Sequence, residues 1–233
     1  MVIGVTRASI DIFRRKLLEW WLTIKKEDFP WRSTRDPYKI LVAEIMLRKT
    51  DVNKVRAVYS AFIERFPDFS SLARAKEEEI IEFLRPLGIY RRRARQLKKI
   101  AEIVCSEYGG SLPRDLAAIM KLPGVGRYIA NAVACFSWNE RVPVVDVNVI
   151  RVLSRVFGLK VRKSAPHKDP KMWDFAKILL PPCNVREYNL ALIDLGRTLC
   201  LAANPRCSEC PLKDICNFVR READKTFTDL EGC

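Results

Sequence analysis

A glycine-rich turn, Leu122-Pro123-Gly124-Val125-Gly126-Arg127-Tyr128, is followed about twenty residues on by an acid at the end of an apolar run, Val144-Val145-Asp146. Gly124 and Gly126 permit a tight turn whose backbone N–H groups can approach phosphate oxygens with no side chain in the way. A helix beginning at Arg127 would add its positive N-terminal end. Leu122, Gly124, Val125, Gly126 and Arg127 are therefore the candidate phosphate-gripping set. The plain alternative is a structural turn between two packed helices. Asp146 has the type and position of a helix N-cap ahead of Val147-Asn148-Val149-Ile150-Arg151. An N-cap aspartate is ionised and rigidly aimed, as a group that stabilises developing positive charge must be. Glu44 is a second acid of interest, set in the apolar stretch Ile40-Leu41-Val42-Ala43-Glu44-Ile45-Met46-Leu47. Burial there would raise its pKa and favour proton donation, unless it lies on a polar helix face.

Four of the eight cysteines crowd one stretch, Cys200-x6-Cys207-x2-Cys210-x5-Cys216. Soft thiolates so close in sequence suit a metal better than one another. Zinc ribbons usually carry two Cys-x2-Cys knuckles, and only one is present. The compact, uneven spacing suits a [4Fe-4S] cluster, with zinc and disulfides as the alternatives. Nothing in the sequence supplies an electron partner, so the cluster is expected to be architectural. Cys105, Cys135 and Cys183 read as small buried hydrophobes, and no role is assigned to Cys233.

The elements that must position these groups are helical almost throughout. Apolar spacing of three to four marks helices after a Ser9 cap, after the Asp36-Pro37 cap and first turn, and over residues 52–66. Further helices are expected over residues 71–84, through Leu97, Ile100, Ala101 and Val104 to an end at Gly109-Gly110, over 115–121 and 127–136, and from Asp146 to Gly158. Two more are expected around 173–180 and 187–200. No alternating strand, repeat or low-complexity tract is evident, so the fold class is all-α.

Lys and Arg number 42 against 28 Asp and Glu, a net charge of +14. An excess of that size points to a polyanionic partner. Basic residues also bunch, as in Arg91-Arg92-Arg93-Ala94-Arg95, which favours a footprint over a diffuse bias. No run of about eighteen apolar residues exists to span a membrane. The N-terminus lacks an apolar signal core, so a cytoplasmic, nucleoid-associated protein is expected.

Taken together, the hairpin, the aspartate beyond it and the cysteine loop resemble the endonuclease III superfamily of DNA glycosylases, from about Phe29 to Cys216. The resemblance implies two helical lobes with a central DNA-binding groove. One lobe would comprise residues 30–137; the other would join 1–29 to 138–233 and carry the cluster loop 200–216. It also implies a monomer acting on double-stranded DNA that contains a mismatched or damaged base, with the target nucleotide flipped out. In the bifunctional branch a lysine follows the hairpin and attacks the sugar; here Tyr128 stands there, and a phenol cannot form a Schiff base. Phe29-Pro30-Trp31-Arg32 and Asp36-Pro37-Tyr38, with Glu44, look like the mismatch-adenine branch. Arg48-Lys49-Thr50 and Tyr128 depart from that branch, and the chain ends soon after Cys216. These departures resemble the archaeal thymine-DNA mismatch glycosylases.

The resemblance implies hydrolysis of the N-glycosidic bond of thymine or uracil opposite guanine, without strand cleavage. Asp146, Glu44 and Tyr128 would be the catalytic set. Arg48 and Lys49 would fill the gap in the duplex and hold the orphaned guanine, Lys49 alternatively touching a phosphate only. Ile89 and Tyr90 would wedge the opposite strand. Adenine excision, a lyase of the endonuclease III kind and a non-catalytic DNA-binding module are the competing readings.

Overall fold

The computed structural model describes residues 6–24, 28–160 and 165–221; Cys233 lies outside them. Eleven α-helices and short 3-10 turns make up its regular structure, and no strand occurs among the described residues. The chain is all-α. It divides into two compact units, Lys26–Glu140 and Met1–Lys25 with Arg141–Cys233. Among the described residues no helix is long and apolar enough to cross a membrane.

The unit Lys26–Glu140 is built from α2 (Pro37–Leu47), α3 (Val52–Arg65), α4 (Phe69–Arg74), α5 (Glu77–Leu84), α6 (Tyr90–Tyr108), α7 (Leu116–Lys121) and α8 (Arg127–Trp138). Asp36 caps α2 by accepting from the N–H groups of Tyr38 and Lys39, with Pro37 at the first helical position. α2 is buried at Tyr38 and from Ile40 to Met46, and α8 is buried from Ile129 to Ser137. Helices apolar on every side belong in a core. Tyr38, Tyr59, Phe62, Phe66 and Phe69 close over them, with Tyr38 edge-on to Phe69 at 4.7 Å and its hydroxyl donating to the Phe66 carbonyl.

Residues 71–84 were expected to form one helix and form parts of two. Asp68 starts α4 with a capping box closed by Ser71, and the chain turns extended at Ala75 and Lys76. Lys98, on α6, donates to the carbonyls of Ala73 (2.9 Å) and Ala75 (2.7 Å), satisfying the end of α4. Glu77, Glu78 and Glu79 then favour a fresh N-terminus.

The other unit contains α1 (Arg7–Thr23), α9 (Val147–Phe157), α10 (Pro170–Ile178) and α11 (Val185–Thr198). Thr6, not Ser9, caps α1; Ser9 is the reciprocal third residue of its capping box. Phe13, Phe157 and Phe175 form an edge-on aromatic file with centroids 5.0 Å apart at each step. Arg14 donates to the last carbonyls around the end of α10, those of Ile178, Leu179 and Leu180. Of the three isolated cysteines only Cys135 is buried; Cys105 is half-buried, and Cys183 is exposed in the Pro181-Pro182-Cys183-Asn184 connection, where no helix face carries it inward.

Candidate active site

The turn between α7 and α8 is closed by the Val125 N–H donating to the Leu122 carbonyl at 3.1 Å. Leu122 and Val125 are buried and anchor it, while Gly124, Gly126 and Arg127 are exposed. Gly124 has φ +67°. Its carbonyl accepts from Arg48 Nη1 (3.1 Å), and the Pro123 carbonyl accepts from Gln96 Nε2 (2.9 Å). The turn's carbonyls are thus tied back to the protein. The N-cap of α8 is Gly126, which brings no side chain of its own to the helix N-terminus, an arrangement that suits phosphate oxygens. A Cβ on Gly124 would lie 2.8 Å from Gln96 Nε2, on a left-handed backbone. Gly124→Ala is therefore expected to cost about 1–2 kcal/mol of stability and to weaken duplex binding, as thermal melts and fluorescence anisotropy would read.

Glu44 is buried at 5 % exposure on α2, which settles its placement inside the unit and off any polar face. Tyr128 is half-buried in the first turn of α8. Arg48 and Lys49, just past α2, meet Ile89 around one pocket that Ile45, Arg92, Arg93 and Gln96 also line. Tyr90 is not among those lining residues; its ring lies 5.8 Å from each of the Arg85 and Arg91 guanidinium groups.

In the other unit Asp146 is the N-cap of α9. The buried Val144-Val145 run leads to it, with the Val144 N–H donating to Asn189 Oδ1 at 2.9 Å. Asp146 Oδ1 accepts from the Val149 N–H (2.8 Å) and Oδ2 from Asn148 Nδ2 (2.7 Å). Asn148 Oδ1 in turn accepts from Arg151 Nη2 (2.8 Å). Arg151 is itself fixed on two carbonyls, those of Gly196 and Cys200, each at 2.6 Å. Burial pushes the Asp146 carboxyl above the usual carboxylate range, against the lowering effect of its hydrogen bonds and the Arg151 charge.

Cys200, Cys207, Cys210 and Cys216 line one small cavity together with Arg155, Pro205 and Phe218. Burial, and the nearness of the other three thiols, push the Cys210 thiol up to about 11. Arg155 donates to Cys200 Sγ at 3.4 Å and covers the Phe218 ring at 4.9 Å. Among the described residues no three His, Cys, Asp or Glu side chains are grouped to hold a single metal ion.

Residues 42–177 match the family described as HhH-GPD superfamily base excision DNA repair protein. The chain belongs to this superfamily. It is similar to the thymine-DNA glycosylase of Aeropyrum pernix, with 42 % identity over 223 residues that cover 95 % of this chain and all of the relative. The thymine/uracil-DNA glycosylase of Pyrobaculum aerophilum is 40 % identical over 212 residues, 90 % of this chain and 92 % of that one. A solved thermostable thymine-DNA glycosylase superposes with a TM-score of 0.86 at 34 % identity, covering 92 % of this chain and 98 % of that one.

For a superfamily member, the geometry adds residues that the sequence reading passed over. Asn148 and Arg151 hold the acid, and their positions two and five residues after Asp146 were the available signal. Gly196 lies within α11, where a Cβ would sit 2.6 Å from Asn148 Cβ; a glycine inside a helical pattern was its only trace. Arg93 is a buried cation in a run of arginines that otherwise reads as surface. Chemically, one unit offers a carboxylate held at both oxygens, and the other a buried acid, an aromatic and a turn whose glycines and following helix suit a phosphate.

Proposed function

We propose that the chain is a monofunctional base-excision glycosylase that hydrolyses the N-glycosidic bond of thymine or uracil mispaired with guanine in double-stranded DNA, acting as a monomer. The observation that carries this reading is the doubly held Asp146, in a chain whose hairpin is followed by Tyr128 where a lyase needs an amine. The names of the two thymine and thymine/uracil relatives above support the choice of base.

The target nucleotide leaves the stack, at a lower cost from a mismatch than from a matched pair. The bond from the sugar carbon to the base nitrogen breaks, and its electrons depart with the base. Asp146 stabilises the resulting cationic sugar and orients the water that adds to it, and the proton which that water loses is taken up by the departed base. Glu44 hydrogen-bonds the leaving base, and Tyr128 walls the pyrimidine. Arg48 and Lys49 occupy the gap and donate to the two major-groove acceptors of guanine; Ile89 and Tyr90 wedge the opposite strand. Cys200, Cys207, Cys210 and Cys216 hold a [4Fe-4S] cluster. Four thiols lining one small cavity, three of which oppose the ionisation of Cys210, fit a multiply charged metal centre. When bound, that centre supplies metal–sulfur bonds that fix the loop from Cys200 to Cys216. Iron and acid-labile sulfide analysis, set against zinc, tests this assignment.

End-labelled duplexes carrying G:T, G:U, G:A and thymine glycol, with and without alkali, test the function. Strand breaks at G:T and G:U that need alkali are expected. Breaks without alkali would make the protein a lyase, breaks at adenine opposite guanine would make it an adenine glycosylase, and none at all would leave a binding module. Tyr128→Lys is expected to introduce an amine that yields a borohydride-trapped protein–DNA adduct and alkali-independent breaks. Absence of any adduct would remove Tyr128 from the sugar's vicinity.

A further inference from the structure

Arg93 is 4 % exposed near the start of α6 and grips two separate connections at once. Nη1 donates to the carbonyls of Leu87 (2.8 Å) and Gly88 (2.6 Å), and Nη2 to the Arg48 carbonyl and the Thr50 hydroxyl. That hydroxyl lies 3.2 Å from both the Arg48 and the Leu87 carbonyl oxygens. Every acceptor is neutral; among the described residues no carboxylate pairs with Arg93. Burial, and after it the charge of Arg48, push its pKa below the ordinary guanidinium value. A buried cation with no counter-ion is costly.

Its grip falls next to strained backbone, on both sides of Lys49 and just before Ile89. Lys49, between Arg48 and Thr50, has φ +53°, and Ile89, next after Gly88, has φ +47°. Neither is a glycine, and a β-branched residue in the left-handed region is an outlier that persists only when its surroundings impose it. Both residues line the same pocket, and Ile89 is 55 % exposed. A long cation and an apolar residue that line one pocket are thus held by a group whose hydrogen bonds go to the residues flanking them.

We propose that Arg93 is a positioning residue that locks Lys49 and Ile89 into one preformed probe for the gap a flipped nucleotide leaves in the duplex. The inference rests on the glycosylase reading above. Holding the two connections in place beforehand removes the ordering cost that two independent loops would meet at the moment of insertion.

Arg93→Lys keeps the charge and loses the fork; Thr50→Val removes one acceptor and keeps the shape. Hydrogen exchange is expected to quicken in residues 47–50 and 87–90 together in both variants, while the buried parts of α2 and α8 keep the parent's rates. In a G:U duplex with 2-aminopurine beside the uracil, the fluorescence rise on extrusion is expected to slow on the order of tenfold to a hundredfold in Arg93→Lys, and less in Thr50→Val. Unchanged exchange in the two connections would overturn the clamp. Quickened exchange across the whole of 28–140, with extrusion reduced only by the unfolded fraction, would reduce Arg93 to a folding residue and overturn it too. A parent protein that neither extrudes nor releases uracil would instead defeat the glycosylase reading, and the exchange data would still decide the clamp.

Discussion

Asp146→Asn is expected to slow single-turnover release of uracil from a G:U duplex by on the order of 10³-fold, with affinity for the duplex nearly unchanged. The asparagine oxygen can still accept from the Val149 N–H at the start of α9, so the fold and the DNA-gripping turn are kept. What is lost is the negative charge that the proposed reaction needs beside the sugar, together with the hydrogen bond from Asn148 Nδ2, which an amide nitrogen cannot accept. A neutral group stabilises a cationic transition state far less than a carboxylate already held in place. Release at the parental rate would remove Asp146 from the reaction, whatever its part in capping the helix.

The same substitution has a pH signature with a definite sign. Burial raises the folded-state pKa of Asp146 above its unfolded value, so the folded chain binds this proton more tightly. The side chain thus contributes stability that is complete below the unfolded pKa and is lost as pH rises through the folded one. Asparagine does not titrate. The difference in Tm, variant minus parent, is expected to be largest near neutral pH and to shrink on acidification through the carboxylate range. The parent's rate should move the other way, with an acid limb lying above the usual aspartate range because the reaction needs the ionised form. Stability and activity would then be opposed at this one carboxyl, as is common where a site needs a charge the fold would rather bury neutral.

How much of this was legible in the chain depended on how far away the deciding atom lay. The start of α2 was readable because Asp36 and Pro37 act on amides two and three residues distant. The start of α1 was misread only in register, since Thr6 and Ser9 are both capping types and share one capping box. The break between α4 and α5 was not readable, because Lys98 ends α4 from another helix. Asp146 stood out as an acid closing an apolar run, and its role as an N-cap followed from sequence. Glu44 was ambiguous for a physical reason: one acid in an apolar helix is compatible with burial or with a narrow polar face until neighbours surround it. Arg93 was invisible because a buried arginine reads like the exposed ones beside it; Gly196 showed only as a glycine in a helical pattern, its reason hidden because the helix it accommodates lies some fifty residues earlier in the chain.

That glycine carries the second large effect. At Gly196, α11 comes so close to the first turn of α9 that an added Cβ would lie 2.6 Å from Asn148 Cβ and 3.0 Å from the Asn148 carbonyl oxygen. The clash is with backbone and with the first side-chain atom, so no rotamer change relieves it. Gly196→Ala must displace the turn that bears Asn148, and Arg151, held on the Gly196 carbonyl and on Asn148, shifts with it. Overpacking costs about 1–3 kcal/mol, partly offset by the roughly 1 kcal/mol that alanine gains over glycine in a helix, so melting should fall only modestly. Base release should fall much further, on the order of a hundredfold, because a displacement of about an ångström in a catalytic group is enough for that. If the loss runs through Asp146, it should vanish in an Asp146→Asn background, where Gly196→Ala lowers Tm as before and takes nothing more from the residual rate. Equal, additive losses of rate in both backgrounds would mean that Gly196 acts on the fold at large and not on the aim of the carboxylate.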